Sequence, residues 1–297
     1  METILQTSHL SKRFGKKQAV NDVTMTINKG DIYGFIGKNG AGKTTFMRLV
    51  LGTAFPTKGE ITLFNGMSYS QARRKIGSLI ETPGIYKNCS AYENLKQFSL
   101  LYGGTEADIQ GILELIGLKD TGKKKAGKFS LGMKQRLGIG IALLGNPEFL
   151  ILDEPVNGLD PTGMKEVRDL LLKLNQQKGI TILISSHLLD ELSKIVTKYG
   201  IINDGVLIEE VSAEELQEKC TQKLIFTVSD TEKAVSILSE SVSAKDIRVE
   251  ENQIYLFSHL EEAATLNRLL VQQGVDVSGL QVQTDGLEQY FMKRIGG

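Results

Sequence analysis

The run Gly37-Lys38-Asn39-Gly40-Ala41-Gly42-Lys43-Thr44, with Thr45 behind it, decides the fold. It fits the spacing of a glycine, four residues and then Gly-Lys-Thr, and it stands where that spacing has a mechanism. A short apolar strand is expected before it at 31–37, and a helix opens at 43–51. The glycines let the backbone curl until successive N–H groups face one phosphate, and the helix N-terminus adds the positive end of its dipole. Lys43 then reaches the β and γ oxygens of a nucleotide, and Thr44 stands next in line to ligate Mg²⁺.

Upstream of this loop, apolar and polar residues alternate at 4–10 and 20–27, which predicts short antiparallel strands joined by a polar loop at 11–18. Downstream, a helix is expected at 130–144, a buried strand at 149–152, a helix at 161–178 and another buried strand at 180–185. Strands alternating with helices imply a parallel sheet covered on both faces. Between these stretches, 92–101 and 106–116 read as helices with no strand between them, so a helical insertion is expected at about 85–145. Asn203-Asp204-Gly205 signals a tight hairpin turn that closes the large domain.

A second chemical element lies in Phe149-Leu150-Ile151-Leu152-Asp153-Glu154, an apolar strand ending in two carboxylates. Carboxylates at a buried strand end are costly unless they do chemistry. Beside a phosphate loop, Asp153 can hold Mg²⁺ through water, and Glu154 can polarise the attacking water.

The 297 residues suffice for one large or two ordinary domains, and a 41% hydrophobic, 24% charged composition with 5 prolines excludes a disordered chain. With 35 basic and 35 acidic residues, no charge footprint favours nucleic acid or an anionic membrane, and the cluster Lys123, Lys124, Lys125, Lys128 reads as solvated surface. Cys89 and Cys220 cannot build a disulfide framework or a four-ligand zinc site, and no secretory signal is evident, so a reducing cytoplasmic setting is expected. The longest apolar stretch, 137–152, is broken by Gly, Asn, Pro and Glu well short of the roughly 20 residues of a spanning helix. From 221 onward the residues are 7 basic and 11 acidic, against 28 and 24 before it. A strand-helix-strand-strand-helix-strand-helix pattern begins there, so we expect two domains, 1–220 and a small α+β domain at 221–297.

In their order these motifs resemble the nucleotide-binding subunits of ABC-type ATPases, over roughly residues 4–216. Ser130-Leu131-Gly132-Met133-Lys134-Gln135-Arg136 resembles the signature segment that opens a helix. Val156-Asn157-Gly158-Leu159-Asp160 resembles the loop after the catalytic glutamate, and His187 stands where the switch histidine does. The resemblance implies an α/β P-loop NTPase fold with a parallel core sheet, an N-terminal antiparallel β subdomain, a helical insertion and the small C-terminal domain. It implies that two subunits pack head to tail, so that Ser130, Gly132 and Met133 of one bind the γ-phosphate held by 37–45 of the other. His187 would hold that phosphate and the water in line beside Glu154. Phe14 resembles the aromatic residue on which adenine stacks.

Two positions depart from the family pattern. Phe129-Ser130-Leu131-Gly132-Met133 stands where Leu-Ser-Gly-Gly-Gln is common, and Glu81 stands where a Gln touches Mg²⁺ or water. These departures, with Thr82-Pro83 and 86–95, resemble the subgroup that exports or expels peptide antibiotics such as bacitracin and lantibiotics. The closing run Gly286-Leu287-Glu288-Gln289-Tyr290-Phe291 resembles the tail of single-domain exporter ATPases. The resemblance thus implies a cytoplasmic ATPase that uses ATP and Mg²⁺ as an ATP-dependent homodimer. It would power a separate transmembrane permease at the inner face of the membrane, without nucleic acid. Two readings stand beside it: a soluble ABC-type protein of ribosomes or nucleic acid, and a nucleotide sensor that hardly turns over.

Overall fold

In the computed structural model, which describes residues 2–187, 192–219, 222–284 and 287–295, the chain opens with two long antiparallel strands, β1 (Thr3–Phe14) and β2 (Lys17–Asn28). They run further than the alternation at 4–10 and 20–27 predicts: the expected polar loop is the far end of a two-stranded ribbon that turns at Gly15-Lys16. That end is mostly exposed on both faces, so pairing there needs no apolar residues, and Phe14 ends a strand rather than sitting in a loop. Thr7 lies fully buried where the ribbon meets the core, its hydroxyl donating to the Val23 carbonyl at 3.0 Å and accepting from the Met25 N–H at 3.1 Å.

Next come β3 (Ile32–Ile36), α1 (Lys43–Val50), β4 (Lys58–Leu63), α2 (Tyr69–Arg73) and β5 (Ile76–Leu79). The sequence reading did not anticipate β4, which pairs with β1 to complete a three-stranded sheet ordered β2-β1-β4. Three helices follow, α3 (Ala91–Ser99), α4 (Glu106–Leu115) and α5 (Leu131–Ala142). Each starts at a hydroxyl cap: Ser90 and Thr105 form capping boxes with Glu93 and Asp108, and Ser130 accepts the Met133 N–H.

β6 (Phe149–Asp153), α6 (Pro161–Lys178), β7 (Thr181–Ser186), β8 (Lys198–Asn203) and β9 (Val206–Ser212) complete a six-stranded sheet ordered β5-β6-β7-β3-β8-β9. All are parallel except β9, which returns from β8 through the two-residue turn Asp204-Gly205; both residues have positive φ, as a turn matching the strand twist requires. β3, β6 and β7 are buried along their whole length, which is why they read as unbroken apolar runs. The core gathers Phe35, Phe46, Met47, Phe149, Ile151 and Leu183.

The chain divides into two compact units, 1–213 and 214–297. The second holds α7 (Ala213–Lys219) from its second residue on, β10 (Gln222–Val228), α8 (Thr231–Leu238), β11 (Ile247–Glu250), β12 (Gln253–Leu256), α9 (Ala263–Gln272), β13 (Val277–Thr284) and α10 (Leu287–Ile295). Its antiparallel sheet runs β11-β12-β10-β13, the order of a split βαβ, ferredoxin-like unit. Leu224, Phe226, Ala234, Leu238, Leu266 and Leu270 form a core of its own.

Candidate functional site

β6, β7 and β3 are neighbours, and the chemistry-bearing residues stand at their adjacent carboxyl ends, where open α/β sheets bind ligands. The loop after β3 has a shape only glycine permits at two points. A side chain on Gly37 would meet the Ile202 carbonyl at 2.3 Å. Gly42 has φ +109° and would strike the Ala19 carbonyl at 2.3 Å. The loop and the start of α1 line a cleft of about 240 Å³ together with Lys17, Ala19 and Glu154.

At its floor the Lys43 side chain is buried. Its ammonium donates to the carbonyls of Gly37 at 2.6 Å and Lys38 at 3.3 Å and lies 3.2 Å from Glu154 Oε1. The other Glu154 oxygen is 2.6 Å from His187 Nδ1. Glu154 is thus held between a lysine and an imidazole, on a backbone at φ +50° that a non-glycine residue rarely adopts. Beside it Asp153, 3% exposed, accepts the Thr44 hydroxyl at 2.7 Å and the Ser185 hydroxyl at 2.6 Å, and Ser185 in turn accepts the Glu154 N–H at 2.9 Å. The arrangement can cradle a polyphosphate on backbone N–H groups and a cation. It can also present a carboxylate to a water at the outermost phosphate.

Gly37, Lys43, Thr44, Asp153, Glu154 and His187 therefore come together, and Asn39, Gly40 and Thr45 line the cleft with them. Lys38 and Ala41 belong to the same turn, where the Ala41 N–H donates to the Lys38 carbonyl at 3.1 Å. Ser130, Gly132 and Met133, at the start of α5, do not line the cleft of their own chain. Phe14 does not line it either: its ring is about half exposed, with Lys12 Nζ 4.9 Å from the centroid. Glu81 is likewise outside the lining, its exposed carboxylate paired with Arg48 Nη2 at 2.5 Å. Lys17, Ala19 and Ser185 were missed by the sequence reading. Only Ser185 left a signal there, as a polar residue at the end of a buried strand. Cys89 is a free thiol, and Cys220 lies outside the described residues.

An ABC transporter family model matches residues 20–157. The bacitracin transport ATP-binding protein BcrA of Bacillus licheniformis is 44% identical over 302 residues, which is 100% of this chain and 99% of the relative. The chain belongs to the ABC transporter ATP-binding family. The cassette is also 43% identical over 227 residues to the lantibiotic transport ATP-binding protein SrtF of Streptococcus pyogenes, spanning 75% of this chain and 98% of that one. Among solved structures it resembles cbiO1 of Clostridium perfringens, part of the ABC transporter complex cbiONQ. That match has a TM-score of 0.67 and 27% identity over 73% of this chain and 91% of the other. The cassette is an ATP-binding subunit of an ABC transporter and an ATPase. Among the described residues no helix is long and apolar enough to cross a membrane.

Proposed function

We propose that the cassette hydrolyses MgATP in a site completed by a second copy of itself, and thereby drives a separate membrane permease that exports or expels a peptide antibiotic. The observation that carries the reading is the Glu154 carboxylate at the mouth of the phosphate loop, bracketed by Lys43 and His187. The loop 37–45 takes the phosphates, and Lys43 turns from the carbonyls and Glu154 to the β and γ oxygens. Phe14 offers an exposed ring face to adenine. The Thr44 hydroxyl and Asp153 carboxylate are hard oxygen donors that meet at 2.7 Å, the kind of set Mg²⁺ takes. When bound, the ion neutralises charge on the phosphates. Glu81 would join that set only by leaving Arg48. Glu154 then accepts the proton of the attacking water, while His187 holds the γ-phosphate in line.

Because Ser130, Gly132 and Met133 lie outside their own cleft, they supply N–H groups and a hydroxyl to the γ-phosphate of the partner copy. Tyr86, half exposed and braced by Phe98 with ring centroids 5.6 Å apart, belongs to the segment 86–95 against which the permease docks. That would hold the cassette at the inner face of the membrane. The similarity to the bacitracin and lantibiotic transport proteins supports the peptide cargo.

The test compares wild type with Glu154→Gln by phosphate release and light scattering, with and without MgATP. Wild type should turn over, while the variant loses about 10²- to 10⁴-fold in rate and associates more tightly with ATP than without it. Residual turnover near wild type, or a dissociation constant that ATP leaves unchanged in both proteins, overturns the reading. For the cargo, expression with the permease should raise the inhibitory concentration of bacitracin, and Glu154→Gln should cancel the rise.

A further inference from the structure

Among the described residues, the second unit leaves one edge of its sheet without the features that usually protect one. β13 is the outermost strand on its side and pairs only with β10 among the strands. It is 8 residues long, and its sequence VSGLQVQT carries no charged residue and no proline. Leu280 and Val282, placed by register opposite the fully buried Phe226 and Leu224, are themselves 41% and 55% exposed. The opposite edge differs in length and charge. β11 has 4 residues and presents Arg248 and Glu250, ion-paired at 2.8 Å. Short charged edges discourage pairing with another chain, whereas long neutral apolar ones are templates for it.

We infer that β13 is the docking edge for a second copy of this chain. The two β13 strands pair antiparallel about a two-fold axis, and two four-stranded sheets become one of eight strands. A second copy is the partner that the charge pattern fits. A neutral strand offers no charge complement to a charged peptide, yet it is its own complement. Across a two-fold axis it brings no like charges together, it sets Leu280 and Val282 of one copy near those of the other, and it faces the Gln281 and Gln283 amides with groups that both donate and accept. Such a pair forms without nucleotide and raises the effective concentration of one cassette for the other. That advantage rests on the composite-site reading above; the pairing itself does not.

Sedimentation of the full chain without nucleotide, over a micromolar concentration series, tests it. Wild type should reach the mass of a dimer. Val282→Lys, which buries an unpaired ammonium from each copy, should raise the dissociation constant by at least about tenfold. Val249→Lys on β11 should leave it unchanged. A chain with Cys89 and Cys220 replaced by Ser, carrying single cysteines in turn at Ser278, Leu280, Gln281 and Val282, should cross-link to its own copy at the position nearest the axis. This holds even where the lysine variant fails to fold. A monomer at every concentration, a Val282→Lys variant that associates like wild type, oligomers that grow beyond two, or no cross-link along β13 would each overturn the inference. With nucleotide absent, failure here leaves the ATP-driven association of Glu154→Gln untouched, and the reverse also holds.

Discussion

Ser185 joins both carboxylate residues of the site, donating to Asp153 and accepting the Glu154 N–H. Ser185→Ala leaves an Asp153 oxygen one partner short and the Glu154 N–H unpaired, so it should cost about 1–3 kcal/mol in urea unfolding and lower kcat as Glu154 loses its seat. The loop glycines separate steric need from conformational need. Gly42→Ala meets the Ala19 carbonyl, while a Cβ on Gly40, at φ +84°, meets nothing within 4 Å. Titration with a fluorescent nucleotide should therefore show Gly42→Ala abolishing binding and Gly40→Ala paying only the roughly 1–2 kcal/mol of left-handed backbone. Equal loss in both would mean that the clash with Ala19 is not what excludes a side chain. Lys43, Thr44, Asp153 and Glu154 were legible in the sequence because their spacing is local and each ends a strand or opens a helix. Lys17 and Ala19 were not, because they enter the cleft from a neighbouring strand, and only the folded ribbon brings them there.

Among the elements, α3 and α4 are held at their starts by reciprocal capping boxes. Hydrogen bonds from the Ser90 and Thr105 backbone hold the Glu93 and Asp108 carboxyls below their ordinary range, most strongly through those N–H groups. A carboxyl lowered in the folded state stabilises above its unfolded pKa, and that contribution disappears as pH falls through the folded value. The gap in Tm between wild type and Glu93→Gln should thus be open at pH 7 and close below about pH 4. A gap that persists into acid would show that packing rather than the charged cap carries the effect. These helices were legible because caps and apolar spacing are written in adjacent residues. β4 was not: its first three residues, Lys58, Gly59 and Glu60, are exposed, and it becomes a strand through β1, a partner some fifty residues earlier along the chain.

At the scale of the molecule, every residue of the cleft lies in 1–213, and the second unit has a core of its own. Calorimetry of the full chain should resolve two transitions, and removal of 220–297 should delete one while leaving the maximal hydrolysis rate within about threefold. A change in charge balance and strand rhythm points to a second unit from 221, whereas the division falls after 213 because the helix 213–219 goes with the second unit from its second residue on; the β13 edge required knowing which strand stands last. One contact in the first unit reaches beyond its own energy. Arg48, which grips Glu81, lies four residues after Thr44 on α1, about 6 Å along the helix axis. A rod that short is too stiff to absorb displacement, so a shift of the phosphate end carries the Arg48 backbone with it, and the exposed grip on Glu81 must either follow or let go.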